Sequence, residues 1–360
     1  MLDAKTHLVV AVAASVFGAA AMAQDIIVPD DHATIQAAID AANEGDVIAV
    51  RAGDYQEWID FGAKNLVLES FDGAASTFIG SFSAPESIVK IIGGQTSATE
   101  LRGFTIRSGY QGTPAPQNPS ILIGGGLYIL DSDPLIESCV FTDNKTAFGA
   151  GCYVLYGSPE FDSCTFFDNY STSSGGGLQL FVCSAHVQGC VFDDNTAIYQ
   201  GGGTKVILGD CTFDDCEFIN NGAEEGGGVY WFSEDNPTAH TLSMSNCTIT
   251  DNHRATSGFG GGIRARYGFT PVALSGTTVC DNTPDEIYGP IEDLGGNTLC
   301  ICPADFNGDG EVNGSDLGIL LAYWGPCVGK PCFPDINHDG VVDGADMGLL
   351  LASWGPCTKP

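Results

Sequence analysis

The chain has 360 residues, with 13 Lys and Arg against 45 Asp and Glu, and its formal charge is −32 at pH 7. A chain this negative repels phosphate backbones and anionic lipids, which excludes nucleic-acid and membrane-surface partners. Hydrophobic residues form 44% of the sequence and 20 residues are Phe, so intrinsic disorder is excluded as well.

The first predicted element in chain order is a secretion signal. Lys5 and His7 precede an apolar run over 8–21, and Ala-Met-Ala at 21–23 is a small-x-small cleavage site. The run is shorter than the roughly 20 residues of a membrane span, and no later stretch is long enough. We therefore expect cleavage of residues 1–23, no membrane span, and a secreted or cell-surface protein.

A short amphipathic helix is predicted next. Residues 35–42 have apolar residues at helical spacing, and Val47 to Val50 follow as a strand. An open sheet end exposes unpaired backbone groups, so we expect this helix to cap the structure that follows.

Two patterns then alternate between residues 120 and 285: a glycine-rich triplet followed by an apolar run, and Cys-x-Phe-x-Asp-Asn or a close variant. The Asn of the second pattern recurs at intervals of 25, 26, 26, 31 and 30 residues, from Asn144 to Asn282. Each repeat is too short to form a hydrophobic core of its own, and it contains too many Gly and β-branched residues for a helical repeat. One repeat therefore predicts one coil of a parallel β-helix.

Equivalent residues of successive coils stack about 4.8 Å apart in such a structure. The spacing predicts an Asn ladder, because each amide is able to donate to the next copy while the turn takes up a left-handed backbone. It also predicts a Phe stack and an internal column of reduced cysteines, since stacked Cβ vectors suit a disulfide poorly. The column contains Cys139, Cys164, Cys190, Cys216 and Cys247.

Alternation after each glycine triplet predicts which side chains face outward. An exposed line of this kind could stack sugar rings, or it could reflect the preference of tyrosine for strands; both interpretations stay open. The candidate ligand-binding residues are Tyr128, Tyr153, Lys205, Tyr230, Arg264 and Arg266. No set of catalytic residues can be assigned.

Two acidic loops end the sequence. Residues 302–327 and 332–357 are identical at 16 of 26 positions, and each places oxygen side chains at loop positions 1, 3, 5, 9 and 12 with glycine at position 6. A backbone carbonyl at position 7 completes a set suited to Ca²⁺, so two ions are predicted. The predicted ligands are Asp305, Asn307, Asp309, Glu311, Asn313 and Asp316, then Asp335, Asn337, Asp339, Val341, Asp343 and Asp346.

The capping region resembles the opening of secreted right-handed β-helix proteins of the pectin-lyase-like superfamily, with Ile-x-x-Ala-Ile at 35–39, Gly-Asp-Val-Ile-Ala-Val at 45–50 and Gly-Asp-Tyr-Gln-Glu at 53–57. The Phe-x-x-Asn and Gly-Gly-x-apolar repeats are similar to those of polymorphic outer-membrane proteins. The resemblance implies an all-β, right-handed parallel β-helix with an N-terminal capping helix.

The C-terminal repeats resemble a type I dockerin, a small α-helical module with two EF-hand-type loops. The resemblance implies calcium binding and, where a partner exists, docking to a cohesin-like domain. Each unit is bracketed by cysteines, and we expect a disulfide from Cys302 to Cys327 and another from Cys332 to Cys357, because so small a domain has little core.

The expected organisation is a signal peptide at 1–23, the β-helix at 24–298, a linker at 299–304 and the dockerin-like repeats at 305–357. Two functions remain open. The first is a non-catalytic extracellular scaffold or adhesin, with a glycan- or partner-binding face and a docking tail. The second is a secreted polysaccharide lyase or glycoside hydrolase, since enzymes on this fold use clustered carboxylates, a basic residue or bound calcium.

Overall fold

The computed structural model describes residues 25–233, 240–254, 259–266, 270–302, 304–307, 310–327, 334–337 and 339–357. The predicted signal peptide lies outside these residues. No helix among them is long and apolar enough to cross a membrane.

Four sheets run side by side along residues 25–299, and each coil contributes one strand to each in the regular region. Neighbouring strands pair in parallel and in register, as between Leu127–Leu130 and Cys152–Leu155. An antiparallel hairpin of Thr113–Ala115 with Asn118–Ile123 begins the third sheet. The predicted parallel β-helix is therefore confirmed.

The first two sheets have eleven and ten strands. The strands of the first are Asp25–Val28, Val47–Val50, Val67–Ser70, Glu100–Arg102, Leu135–Glu137, Glu160–Asp162, His186–Gln188, Cys211–Asp214, Leu242–Ser245, Val272–Ser275 and Ile291–Asp293. The strands of the second are Gly53–Tyr55, Thr77–Gly80, Thr105–Arg107, Val140–Thr142, Thr165–Phe167, Val191–Asp193, Glu217–Ile219, Thr248–Thr250, Thr278–Cys280 and Thr298–Leu299.

The third and fourth sheets have seven and nine strands. Those of the third are Thr113–Ala115, Asn118–Ile123, Lys145–Phe148, Tyr170–Ser174, Thr196–Ala197, Gly222–Ala223 and His253–Arg254. Those of the fourth are Ile59–Asp60, Val89–Ile91, Leu127–Leu130, Cys152–Leu155, Leu178–Phe181, Thr204–Ile207, Val229–Phe232, Ile263–Ala265 and Ile287–Tyr288.

Helix α1, Ile35–Ala41, contacts the first strands of the coil stack and buries Ile35, Ala38 and Ile39 against them. The Thr34 hydroxyl caps it by accepting a hydrogen bond from the backbone N–H of Ala37 at 3.1 Å. The predicted cap and the strand at Val47–Val50 are both confirmed.

Buried Asn side chains connect six successive coils between the second and third sheets. Each amide Nδ2 donates to the Oδ1 of the next Asn at 2.9 to 3.0 Å, from Asn144 to Asn282. The left-handed residue is the one before each ladder Asn, such as Asp143 with φ 52°, and not the ladder Asn itself. The ladder ends at Glu286, where one carboxylate oxygen accepts from the backbone N–H and the Nδ2 of Asn282 at 3.0 and 2.7 Å.

The interior beside this ladder is apolar. Four Phe rings stack with centroids 4.6 to 4.8 Å apart, in the order Phe141, Phe166, Phe192 and Phe218. All five cysteines of the predicted column are buried and unpaired, as are Cys152, Cys183 and Cys211. Burial raises the pKa of Cys139 to about 12, so this thiol is inert at neutral pH.

The C-terminal unit contains helices α2, Gly314–Ala322, and α3, Gly344–Ala352. Two short antiparallel ladders connect the repeats: Glu311–Val312 pairs with Gly355–Pro356, and Gly325–Pro326 pairs with Val341–Val342. The buried core is small, with Ala304, Val312, Leu320, Val342 and Leu350 at its centre.

Candidate ligand groove and calcium sites

A groove of about 560 Å³ lies where the third sheet turns into the fourth, and Lys205 is its residue from the fourth sheet. One wall is formed by residues that directly precede the glycine triplets, and the lining residues are Phe148, Ser173, Ser174, Tyr199, Gln200, Lys205, Glu224, Glu225 and Phe259. The glycines make this geometry possible: a Cβ at Gly201, where φ is 66°, would lie 2.4 Å from the carbonyl oxygen of Thr204.

Lys205 is the buried cation of this groove, with 7% of its surface exposed. Its Nζ donates to Gln200 Oε1 at 2.7 Å and lies 5.4 Å from the ring centroid of Tyr230. Gln200 Nε2 donates to Glu225 Oε2 at 3.0 Å. Burial lowers the pKa of Lys205 to about 8, although the charge of Glu225 opposes the shift. Near pH 8 the amine is therefore able to accept a proton.

Three polar atoms in the same outward column have no hydrogen-bond partner within the described part of the chain: Tyr128 Oη, Gln179 Oε1 and Arg264 Nε. Gln179 and Lys205 are paired neighbours, and Arg264 Nε lies 4.0 Å from Glu225 Oε1. Unpaired buried polar atoms are costly, but neither Gln179 nor Arg264 is among the residues that line the groove.

The structure brings together only part of the predicted ligand-binding set. Lys205, Tyr230 and Arg264 occupy equivalent positions on adjacent strands, and exposed Arg266 lies with its guanidinium carbon 5.2 Å from the ring centroid of Phe232. Tyr128 and Tyr153 belong instead to a separate apolar cluster.

The expectation of an exposed tyrosine track is wrong, because Tyr128, Tyr153 and Tyr230 are only 2%, 8% and 3% exposed. Alternation correctly places these side chains outside the coil. However, residues of the third sheet cover the first two, with Ile123 and Phe148 packed in the same cluster. The exposed aromatics of the groove are Tyr199 and Phe259, and their position beside a glycine triplet was the sequence signal for them.

The two acidic loops curl as a calcium loop requires. Asp305 Oδ2 accepts from the N–H of Gly310 at 2.8 Å, and Asp335 Oδ2 accepts from Gly340 at 2.9 Å. Both glycines have positive φ, 84° and 89°, so position 6 makes the sharp turn in each loop.

The carboxylate of loop position 12 faces the beginning of its own loop in both repeats. Asp316 Oδ1 accepts from the N–H of Phe306, and Asp346 Oδ1 from that of Ile336, each at 2.8 Å. Both aspartates are fully buried. Burial favours the neutral acid, but backbone N–H groups outweigh it and hold the pKa of Asp346 below its usual value. The donor set is hard oxygen throughout and fits Ca²⁺; Asp309 lies outside the described residues.

A thiolate metal site is not formed here. The potential ligand atoms of Cys302, Asp305 and Cys357 are close enough together to hold a metal ion. However, the two cysteines are joined in a disulfide and have no thiolate to offer.

Comparison with known families decides the class of the protein. A family model for the right handed beta helix region matches residues 90–283, more than half of the chain. The chain belongs to the right-handed β-helix family. A second model, for the dockerin type I domain, matches residues 303–353. Dockerin type I domains bind calcium and cohesins, which fits the oxygen-lined loops of this right-handed β-helix protein.

Solved structures similar to this β-helix protein include the pectate lyase Pel9A, with a TM-score of 0.47 and 11% identity over 77% of this chain and 80% of that one. Another is the pectin methylesterase PemA from Erwinia chrysanthemi, with a TM-score of 0.37 and 14% identity over 75% of this chain and 82% of that one.

Curated relatives match only a short piece of this β-helix protein. LL-diaminopimelate aminotransferases from two Prochlorococcus marinus strains, MIT 9303 and MIT 9313, are each 38% identical over 71 residues. The match covers 20% of this chain, and the chain spans 17% of the length of those relatives.

The disulfides of the dockerin domain differ from the expected ones. Cys302 is bonded to Cys357, with their Cα atoms 5.8 Å apart, so both predicted pairings are wrong. The strand after each helix pairs with the loop of the other repeat, which places the end of the second repeat beside the start of the first. Cys327 is also disulfide-bonded, and Cys332 lies outside the described residues.

A further disulfide in the β-helix was not predicted. Cys280 is bonded to Cys300, with their Cα atoms 4.9 Å apart, and they lie at the last two strands of the second sheet. In the sequence, Cys280 lies one residue after the position that Phe occupies in the other repeats, so it is not aligned with the Cys column. This offset was the sequence signal that Cys280 has a different role.

Proposed function

We propose that this protein is a secreted, non-catalytic component that binds a polysaccharide in the groove beside the fourth sheet and attaches to a cohesin-like domain through its tail. The observation that carries the proposal is the buried amine of Lys205, which lines the same groove as the exposed rings of Tyr199 and Phe259.

The groove has the shape and chemistry for an extended glycan. Its wall runs along the helix axis through Phe148, Ser174, Gln200, Glu225 and Phe259, one residue per coil, which corresponds to roughly 19 Å at strand spacing. Sugar hydroxyls both donate and accept hydrogen bonds, and the groove presents both kinds of group. The aromatic rings provide apolar surface for the sugar faces.

The dockerin domain supplies the attachment. We propose that the six oxygen ligands of each loop hold one Ca²⁺, two in all. Equivalent apolar side chains stay exposed on and just after both helices: Leu321 and Trp324 at 52% and 48%, and Leu351 and Trp354 at 51% and 50%. We propose these as the cohesin-binding face, because large exposed aromatic residues are typical of interface anchors.

Affinity electrophoresis in gels containing polygalacturonate, alginate, xylan or mannan tests the groove. Lys205→Gln and Glu225→Gln should abolish the retardation seen with the wild type in at least one gel. The control is Lys145→Gln, because Lys145 is exposed and lies outside the groove. Equal retardation of all four proteins in every gel would rule out the groove as the glycan site.

A polysaccharide lyase is the second candidate, and the pKa of about 8 for Lys205 favours it. In β-elimination the Lys205 amine would take the proton from the carbon next to the carboxylate of a uronic acid. The released electron pair forms a C=C bond as the adjacent C–O glycosidic bond breaks, the leaving sugar oxygen takes a proton from solvent water in the open groove, and Arg264 would pair with the carboxylate. An increase in ultraviolet absorbance from unsaturated product, lost in Lys205→Gln, would favour the lyase over the binding protein.

A further inference from the structure

A second cleft, of about 340 Å³, lies at the other end of the coil stack and on another face. It is formed where the second sheet meets the turn into the third, and its lining residues are Asp54, Gln56, Gly80, Phe82, Arg107, Ser108, Thr142 and Asp143. None of these residues belongs to the groove around Lys205.

An aromatic platform forms one side of this cleft. Phe82 stacks on Tyr110 with ring centroids 5.4 Å apart and an interplanar angle of 18°. Phe82 nevertheless remains 68% exposed, so one ring face is supported and the other is open to solvent. The hydroxyl of Tyr110 donates to Asp143 Oδ1 at 2.9 Å, which fixes the orientation of the supporting ring.

Polar groups held in fixed positions form the other side. Arg107 donates from its guanidinium to Asp54 Oδ2 at 3.0 Å, and Gln56 Nε2 donates to Asp54 Oδ1 at 2.9 Å. Ser108, a residue only 5% exposed, also lines the cleft. Polar groups in fixed positions beside a supported aromatic ring are the arrangement that orients a small ligand.

The local charge selects the kind of ligand. Asp54 and Asp143 supply two negative charges to the cleft and Arg107 supplies one positive charge, on a protein whose formal charge is −32. An anionic sugar would be repelled, whereas a neutral one offers hydroxyls to the carboxylates and a C–H face to Phe82.

We propose that this cleft is a second glycan-binding site, which takes a neutral pyranose unit stacked on Phe82 and hydrogen-bonded by Arg107, Asp54 and Ser108. The ligand extends along the axis, because the outward column of Arg107 and Thr142 continues to Phe167, which is 42% exposed and about 10 Å beyond Arg107. The site is independent of the function proposed for the Lys205 groove.

Isothermal titration with cellohexaose, xylohexaose, mannohexaose and hexagalacturonate tests the proposal. The full-length protein carries Lys205→Gln in every sample, so that binding in the groove does not contribute. At least one neutral hexasaccharide should bind, and Phe82→Ala should weaken that binding by roughly tenfold or more. Arg107→Gln should weaken it as well, because it removes the guanidinium donors.

Phe71→Ala is the matched control, because Phe71 is similarly exposed, at 54%, but lies outside the cleft. Its dissociation constant should stay within about twofold of the parent, and far-UV spectra and urea midpoints check that each variant folds. The proposal is overturned if no neutral hexasaccharide binds, if Phe71→Ala weakens binding as much as Phe82→Ala, or if hexagalacturonate binds most tightly.

Discussion

Replacement of Asn195 by Ala is expected to destabilise the β-helix more than any single change at its surface. Asn195 is fully buried. Its Nδ2 donates to the carbonyl oxygen of Phe166 at 2.8 Å and to Asn221 Oδ1 at 3.0 Å. Its Oδ1 accepts from the backbone N–H and the Nδ2 of Asn169 at 3.2 and 2.9 Å. The substitution removes all four hydrogen bonds.

The cost follows from what each partner retains. Asn221 Oδ1 still accepts from the backbone N–H of Asn195 at 3.0 Å, and Asn169 Nδ2 still donates to Phe141 at 2.8 Å. The backbone N–H of Asn169 loses its acceptor inside the core. An orphaned buried group costs about 1–3 kcal/mol and each of the three further lost bonds about 1 kcal/mol, which gives about 4–6 kcal/mol in total. That is a large share of the free energy of unfolding of an ordinary domain.

Urea unfolding followed by the far-UV strand signal measures this change. Asn118→Ala is the control, since exposed Asn118 accepts one hydrogen bond, from the N–H of Ser120, and its loss should cost less than about 0.5 kcal/mol. If Asn195→Ala unfolds within about 1 kcal/mol of the wild type, the ladder does not stabilise the fold as reasoned, and a spectrum dominated by helix would refute the β-helix itself.

Three further results are expected. Lys205→Met should be more stable than the wild type at pH 7, because burial lowers the pKa of Lys205 from 10.5 to about 8. Between those two pH values the unfolded chain binds more protons than the folded protein, so the wild type gains stability as the pH rises. The difference in urea midpoint between the two proteins should therefore shrink by pH 10. Alkylation without reductant should label the column from Cys139 to Cys247 only after unfolding and leave Cys302 linked to Cys357, whereas a bond between Cys139 and Cys164 would contradict the free-thiol column. Titration calorimetry should detect two calcium-binding events, one of them lost in Asp316→Ala and the other in Asp346→Ala, and a single event in the wild type would count against two ions.

The regular part of the fold was predictable because its determinants recur in the sequence. The Asn residues recur once per coil, and residues at equivalent positions of successive coils stack on one another. The spacing alone therefore placed Asn144 next to Asn169. The capping helix and the strand after it were predictable from local apolar spacing.

The groove was only partly predictable, because alternation tells which side of a strand a residue occupies but not what covers that side. Tyr153 and Lys205 both face outward, yet one is packed under Phe148 in an apolar cluster and the other is held by Gln200. Phe148 belongs to the third sheet and Gln200 is bridged to the end of one of its strands at Ser174, and these short segments carry little periodic signal.

The disulfide pairing was predicted wrongly for a related reason. Cys302 and Cys327 are as far apart in the sequence as Cys332 and Cys357, and that symmetry suggested a bond within each repeat. The observed bond joins residues 55 positions apart, and it follows from how the two repeats pair rather than from either repeat alone.

The carboxylate of Glu286 gives the Asn ladder a chemical end. Each Asn from Asn169 to Asn252 accepts from one ladder neighbour and donates to the next, so an uncapped ladder could in principle continue onto the first coil of another molecule. Glu286 accepts from Asn282 but a carboxylate has no N–H to pass on. The Asn ladder therefore ends at this coil and offers no side-chain donor to a further coil stacked on it.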